Sequence, residues 1–272
     1  MKYRRIAAIT LLVGLSACCA EEDVARPADI SGLEEIRVDY HYMGWLFFEE
    51  QFTIRPAEKP GAFVLRGRYE TENGDTVEVE RPVSPESVAD FVRQATSPTW
   101  GRERGVRALA QRVDQRSLRS FEPVVRSPAS RCTDQELQQL AKRHFGRSGL
   151  VALVDEHYGR GISWTDDYPH ALVQMRWRGK PVFVMSSQSQ KALMLPWDPG
   201  VPMDSPAEMD QNWSLPLSAS LQALLPPQSR TYERLGGIPE MEFPLNLNAM
   251  HKAERRCDGL RPRAKASAPP ST

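Results

Sequence analysis

The fold is decided by Ile36-Arg37-Val38-Asp39-Tyr40-His41-Tyr42, a stretch of the 272-residue chain in which apolar and polar side chains alternate. A period of two is typical of a β-strand that buries one face and exposes the other. Similar alternation runs through residues 48–54 and 63–69. Asn73-Gly74 then favours a type I′ hairpin turn, because both central residues of that turn need positive φ. We therefore predict an antiparallel meander of four or five strands.

A helix follows the meander at Ser84-Pro85-Glu86. Serine is a preferred N-cap, proline suits the first helical position, and an acidic residue favours the first turn. Four apolar residues at helical spacing form the face that we expect to pack on the sheet, namely Val88, Phe91, Val92 and Ala95. Strands followed by a helix, without strict alternation of the two, indicate an α+β fold.

A second unit of the chain also contains a hairpin followed by a helix. It begins with the capping-box pair Thr133–Glu136 at the start of a helix. Residues 171–177 and 182–185 predict the hairpin, and the leucines of 217–225 predict the closing helix. Residues 150–154 are all apolar, and a run of this length fits a helical segment or a buried strand equally well. The predicted fold class is α+β, an antiparallel β-meander with a packed helix followed by a second hairpin-plus-helix unit.

The amino terminus carries an export signal. Basic residues precede an uncharged apolar run at 6–15, and Leu15-Ser16-Ala17-Cys18 closes that run. This tetrapeptide resembles the lipobox of bacterial lipoproteins. The resemblance implies cleavage before Cys18, acylation of its thiol and amine, and attachment to the bilayer through the acyl chains. Because Cys19 follows, and not the aspartate that retains such proteins in the inner membrane, it also implies the periplasmic face of an outer membrane. Ordinary cleavage that releases a soluble protein is the alternative.

The sequence divides into five segments. Residues 1–17 are the signal peptide, and the polar residues 18–30 form a tether. Residues 31–130 hold the meander and its helices, and residues 131–257 hold the second α+β unit. The Pro/Ala/Ser-rich residues 258–272 are predicted to be disordered. Whether the two units share one core stays open at this point.

The charge balance excludes a globally basic nucleic-acid-binding protein. Loss of residues 1–17 removes three basic residues and leaves 32 basic against 35 acidic, a net charge near −3. The sequence has no nucleotide-binding loop, dinucleotide fingerprint or zinc signature, and its five histidines lack metal-ligand spacing. We therefore expect no cofactor and no metal site.

One polar cluster has the residue types of a serine hydrolase. Two aspartates and a histidine lie at the start of the first strand of the second hairpin, and three serines lie at the end of its second strand. Pairing of the two strands would therefore bring carboxylate, imidazole and hydroxyl groups together at the open end of the hairpin. The cluster comprises Asp166, Asp167, His170, Ser186, Ser187 and Ser189. No Gly-x-Ser-x-Gly elbow presents a nucleophile. The alternatives are turn and cap chemistry where strands end, or a polar ligand site.

Two kinds of candidate interaction surface are present. Trp45 and Phe47 lie in the connection between the first two strands, where exposed aromatic residues can anchor a partner, and Trp197 has similar surroundings. Folding back onto the core is the alternative for each of them.

Residues 97–131 hold eight arginines against three acidic residues, a local charge of +5. Such a run is either a solvated helix face or a site for an acidic partner or anionic headgroups. The arginines that we single out there are Arg112, Arg116 and Arg119.

The body of the chain contains two cysteines, Cys132 and Cys257. An oxidising periplasm would allow them to form a disulfide, and the alternative is a pair of buried thiols.

Together these features favour a non-enzymatic periplasmic binding protein, anchored to the outer membrane, over an enzyme. Envelope assembly factors and toxin-neutralising immunity proteins both fit that class. A cell-envelope hydrolase that uses the Asp/His/Ser cluster is the alternative.

Overall fold

The computed structural model describes residues 30–44, 47–71, 73–117, 132–159, 168–200 and 211–260. These residues form a seven-stranded antiparallel sheet and seven α-helices, which confirms the predicted α+β class. The strands are β1 (Leu33–Met43), β2 (Phe47–Pro56), β3 (Phe63–Glu70), β4 (Thr76–Val83), β5 (Tyr168–Trp177), β6 (Lys180–Gln188) and β7 (Asp198–Pro199). The helices are α1 (Pro85–Ala95), α2 (Arg102–Ser117), α3 (Asp134–Phe145), α4 (Arg147–Gly159), α5 (Leu215–Leu224), α6 (Arg230–Gly236) and α7 (Ile238–Leu260).

The sheet has the order β4-β3-β2-β1-β5-β6-β7. Its first four strands form the predicted meander, and β5 and β6 form the predicted second hairpin. The long strand β1 lies at the centre, because Ile36 pairs with Ile54 of β2 on one side and with Met175 of β5 on the other. The two units predicted from the sequence therefore contribute to one sheet.

The alternation in β1 determines which face of the sheet is buried. Ile36, Val38 and Tyr40 are buried in a core that also contains Phe91 of α1. Arg37 and His41 point to the other face, where they are partly exposed. The helices thus pack on one side of the sheet, and the other side carries polar side chains.

The helices begin where the sequence predicts. The Ser84 hydroxyl accepts a hydrogen bond from the Ser87 amide at 3.1 Å, and α1 starts at Pro85. At α3, the Thr133 hydroxyl accepts from the Glu136 amide and the Glu136 carboxylate accepts from the Thr133 amide, which completes the capping box. The apolar residues 150–154 lie within α4, so the helical alternative is the correct one.

Helix α2 is the basic amphipathic helix of the arginine-rich segment. Its buried side is apolar and consists of Val106, Leu109, Ala110 and Val113. Among the described residues, no helix is long and apolar enough to cross a bilayer.

A disulfide joins Cys132, just before α3, to Cys257 near the end of α7, with the two Cα atoms 6.4 Å apart. It links α3 and α7, two helices of the second unit that also pack against each other. That such a bond forms in an oxidising compartment stays a prediction.

Candidate functional site

The β5–β6 hairpin places the described members of the predicted hydrolase cluster on different faces of the sheet. Ser186 and Ser187 are neighbours on β6, so their side chains point to opposite faces of the sheet. Ser187 lies on the core side opposite Ala171, is 0% exposed, and donates its hydroxyl to the Met194 carbonyl. Its hydroxyl therefore cannot reach His170, which lies on the other face.

The remaining members of the cluster are not joined to one another either. Ser189 is buried, and its hydroxyl accepts a hydrogen bond from the Lys191 amide at 3.1 Å, which is loop chemistry. Ser186 shares a face with His170 but is 2% exposed. Over the described ranges, no hydrogen bond connects His170 with any of the three serines. Asp166 and Asp167 lie outside the described residues. The arrangement supports the turn-and-cap interpretation of the serines.

His170 has an environment of its own on the polar face. It lies across from His41, with the ring centroids 6.4 Å apart, and His41 Nδ1 is 3.3 Å from Glu49 Oε1. Burial lowers the pKa of His170, and the charge of His41 lowers it further. The buried Nε2 atom has no hydrogen-bond partner within the described part of the chain. The same part of the chain contains no group of three or more His, Cys, Asp or Glu side chains that could hold a metal ion.

Trp197 is a core residue, so the proposal of a surface role for it is wrong. Its side chain is 1% exposed, and the indole N–H donates to the Ser218 hydroxyl at 2.8 Å. Its backbone also pairs with Asn212. The hydrogen bond to Ser218 offsets the free-energy cost of burying the indole N–H. The backbone pairing holds the segment that carries Asn212 and Trp213 against Trp197.

The end of the β1–β2 hairpin presents an exposed apolar pair. Phe47 is 73% exposed and Met43, its direct partner in the register, is 59% exposed. Sequence analysis identified Phe47 as a candidate surface residue. It did not identify Met43, because Met43 follows the alternating residues 36–42 and no sequence pattern indicates its exposure. Trp45 lies outside the described residues. Pairing across the strands places Phe47 and Met43 on one face, so together they form one patch, which we call the hairpin patch.

The exposed side of α2 presents arginines next to an aromatic ring. Arg112 is exposed, whereas the side chain of Arg116 and all of Arg119 lie outside the described part of the chain. Closer to the start of α2, the Arg104 guanidinium lies 3.9 Å over the centre of the Trp100 ring. An open cleft of about 440 Å³ is lined there by Trp100, Glu103, Arg104, Arg107, Ala108 and Gln111. We call this the Trp100 cleft.

Sequence reasoning identified the basic segment but not its cleft. Trp100 precedes the helix, so helical spacing did not connect it with Arg104. The signal that would have found it is the short separation of a tryptophan and an arginine across a helix start, because an arginine within about 6 Å of a tryptophan ring can form a cation–π pair.

Comparison of the chain with protein-family models, with curated proteins and with solved structures finds no match. The functional interpretation therefore depends on the residues and on the geometry described above.

Proposed function

We propose that the protein is an outer-membrane-anchored periplasmic lipoprotein that acts as a non-enzymatic interaction protein. The tetrapeptide Leu15-Ser16-Ala17-Cys18 supports the anchor, through its resemblance to a lipobox. The hairpin patch supports the interaction role. Envelope assembly factors and toxin-neutralising immunity proteins fit this class equally well.

The hairpin patch is the observation that carries the interaction role. Two large apolar side chains lie side by side in contact with water. Full burial of each against a partner would stabilise the complex by about 1.5–3 kcal/mol. Phe47 begins a part of β2 that extends past the pairing with β3, since that pairing starts only at Gln51. Phe47 thus lies outside the described pairing with β3, and its 73% exposed side chain is accessible to a partner.

The position of the patch also fits a partner other than the anchoring bilayer. The tether would enter the domain close to Leu33, at the start of β1, and Met43 ends the same strand. Eleven residues of extended strand span about 35 Å. The patch thus lies at the opposite end of the sheet from the tether.

The interaction role is tested by replacing exposed apolar residues in pairs. Met43→Ser with Phe47→Ser should abolish a complex that co-purifies with the intact lipoprotein from its own envelope. The matched control is Val182→Ser with Phe243→Ser, which changes two apolar residues that are 50% and 60% exposed on β6 and α7. Loss of the complex in both pairs, or in neither, would contradict a specific role for the hairpin patch.

The anchor is tested separately. Cys18→Ala should abolish incorporation of a palmitate analogue and release the protein from the membrane fraction, because it removes the thiol and prevents lipobox processing. Cys19→Ala is the matched control and should keep both properties. Continued labelling of the Cys18→Ala protein would refute the lipoprotein assignment.

A further inference from the structure

We propose that the Trp100 cleft binds a carboxylate-rich segment of an acidic partner protein. This inference rests on the proposed interaction function, for which it supplies a second surface and the chemistry of the partner. It concerns a region of the molecule distinct from the hairpin patch.

The key group in the cleft is the guanidinium of Arg104. Its Cζ atom lies 3.9 Å from the centre of the Trp100 ring, and within the described residues it forms no ion pair. A stacked guanidinium keeps its N–H groups at the edge of the plane, where they can bind both oxygens of a carboxylate. Arg107 lies one helical turn further along the same side, where it pairs with Glu103, so Arg104 carries the uncompensated positive charge of the cleft. Arg104 is therefore suited to bind a carboxylate of an acidic segment.

Arg102 provides an internal contrast, because it is already used by the fold. Its Nε donates to Asp155 Oδ1 at 2.9 Å and its Nη2 donates to the Asp155 carbonyl at 3.0 Å. The guanidinium also lies 5.3 Å from the centre of the Trp213 ring. Arg102 thus connects α2 to α4, whereas the donors of Arg104 stay open to a ligand.

The cleft is held in place before any ligand binds. The Trp100 amide donates to Asn212 Oδ1 at 3.1 Å, and the Trp100 carbonyl accepts from the Trp213 amide at 2.9 Å. On the helix side, Gly105 lies so close to Trp213 that a Cβ atom there would be 2.5 Å from the Trp213 Cβ. Because the Trp100 backbone and the helix are both held in place, binding costs less ordering entropy than it would on a flexible loop.

Charge complementarity indicates an acidic partner. The sequence of α2 carries five arginines against two acidic residues, a net charge of +3, within a mature chain whose net charge is near −3. The positive charge is therefore local, and it would attract a negatively charged segment to this side of the molecule.

One feature favours a protein partner over anionic lipid headgroups. Trp100 is only partly exposed beneath Arg104, so its ring cannot enter a membrane interface in the manner of an anchoring tryptophan. A discrete acidic segment fits the cleft better than a flat bilayer does.

The test uses the full mature chain and a fluorescein-labelled decaglutamate peptide, with binding measured by fluorescence anisotropy. We expect binding at low ionic strength that weakens markedly at physiological salt, because exposed charges are screened. Arg104→Glu should weaken binding about tenfold or more, since it replaces attraction by repulsion. Arg104→Lys should weaken it less, because the charge stays while the planar stack is lost. Arg255→Glu, an exposed helical arginine on α7, is the matched control and should leave binding unchanged.

Three results would overturn this inference. They are the absence of decaglutamate binding at low salt, equal weakening by Arg104→Glu and Arg255→Glu, and tighter, Arg104-dependent binding to phosphatidylglycerol vesicles than to the peptide. If Arg104→Glu fails to fold, Arg104→Lys and the vesicle comparison still decide the outcome. The proposed function is tested at Cys18 and at the hairpin patch, so its failure would be distinguishable from failure of this site.

Discussion

At the scale of single residues, one buried and one half-buried ionisable group illustrate how the fold changes side-chain chemistry. Glu50 of β2 is 1% exposed and accepts hydrogen bonds from the Arg230 and Thr231 amides, both at 2.8 Å, so it attaches the start of α6 to the sheet. Burial raises the pKa of Glu50 in spite of these bonds. Burial lowers the pKa of His170, which carries the opposite charge when protonated. In both cases the desolvated charged form is disfavoured.

The lowered pKa of His170 predicts a loss of stability in acid. The unfolded chain takes up a proton near the ordinary histidine pKa of 6.5, before the folded protein does. The contribution of His170 is therefore fully present above that pH and is lost as the pH falls toward the folded pKa. We expect the free energy of unfolding, measured in urea between pH 7.5 and 5, to fall less steeply in His170→Gln than in the wild type. His251→Gln, at an exposed position, is the control and should keep the wild-type slope. Parallel curves for His170→Gln and the wild type would contradict this prediction.

At the scale of elements, α2 shows a conflict between local preference and packing. Glycine within a helix costs about 1 kcal/mol relative to alanine, yet Gly105 lies in the first turn of α2, against Trp213. Alanine at this position would bring its Cβ within 2.5 Å of the Trp213 Cβ and within 2.7 Å of the Trp213 carbonyl oxygen. Helix propensity and tertiary contact therefore favour different residues, and the contact has the larger effect.

Gly105→Ala should destabilise the protein in spite of the better helix propensity of alanine. Overpacking of this kind costs about 1–3 kcal/mol, which exceeds the gain in propensity. The measurement is the free energy of unfolding from urea denaturation. Gly259→Ala is the matched control, because a Cβ on this exposed glycine of α7 meets no atom within 4 Å, and it should change stability by less than about 0.5 kcal/mol. Greater stability of Gly105→Ala would show that α2 can move away from Trp213.

At the scale of the whole molecule, the two units depend on each other. β1 of the first unit hydrogen-bonds β5 of the second over most of its length, and residues of both units fill one apolar core. The Cys132–Cys257 disulfide connects α3 to α7 but lies entirely within the second unit. The sheet, and not the disulfide, is therefore what joins the two units.

Reduction of the disulfide should lower the stability of the whole molecule in one cooperative transition, because both units share the core. The bond separates residues 125 positions apart, for which the chain-entropy model gives at most about 4–5 kcal/mol. We expect the urea midpoint of the wild type to fall on reduction, and the double variant Cys132→Ala, Cys257→Ala to be insensitive to reductant. Two separate unfolding transitions after reduction, or no change in midpoint, would contradict this expectation. Peptide mapping without reduction, on protein from the periplasm, would test whether the bond forms after export.

The sequence alone predicted those structural elements whose signal comes from residues close together in the chain. Alternation in residues 36–42 predicted a strand with a buried face, Ser84 and Thr133 predicted the starts of two helices, and the spacing of apolar residues predicted the buried side of α2. Each of these signals depends on residues within a few positions of one another, where backbone geometry fixes which side chains share a face. The lipobox resemblance at Cys18 is local in the same sense, and it stays a prediction.

Tertiary structure alone decided which of these elements meet. Pairing of β1 with β5 joins residues 125 to 144 positions apart, and no turn or cap encodes it. The same contacts place Trp197 in the core, direct Ser187 toward Met194 and away from His170, and bring Trp213 against Gly105 beside the Trp100 cleft. Burial depends on everything that packs around a side chain, so a residue type indicates a role only when the chain around it has folded.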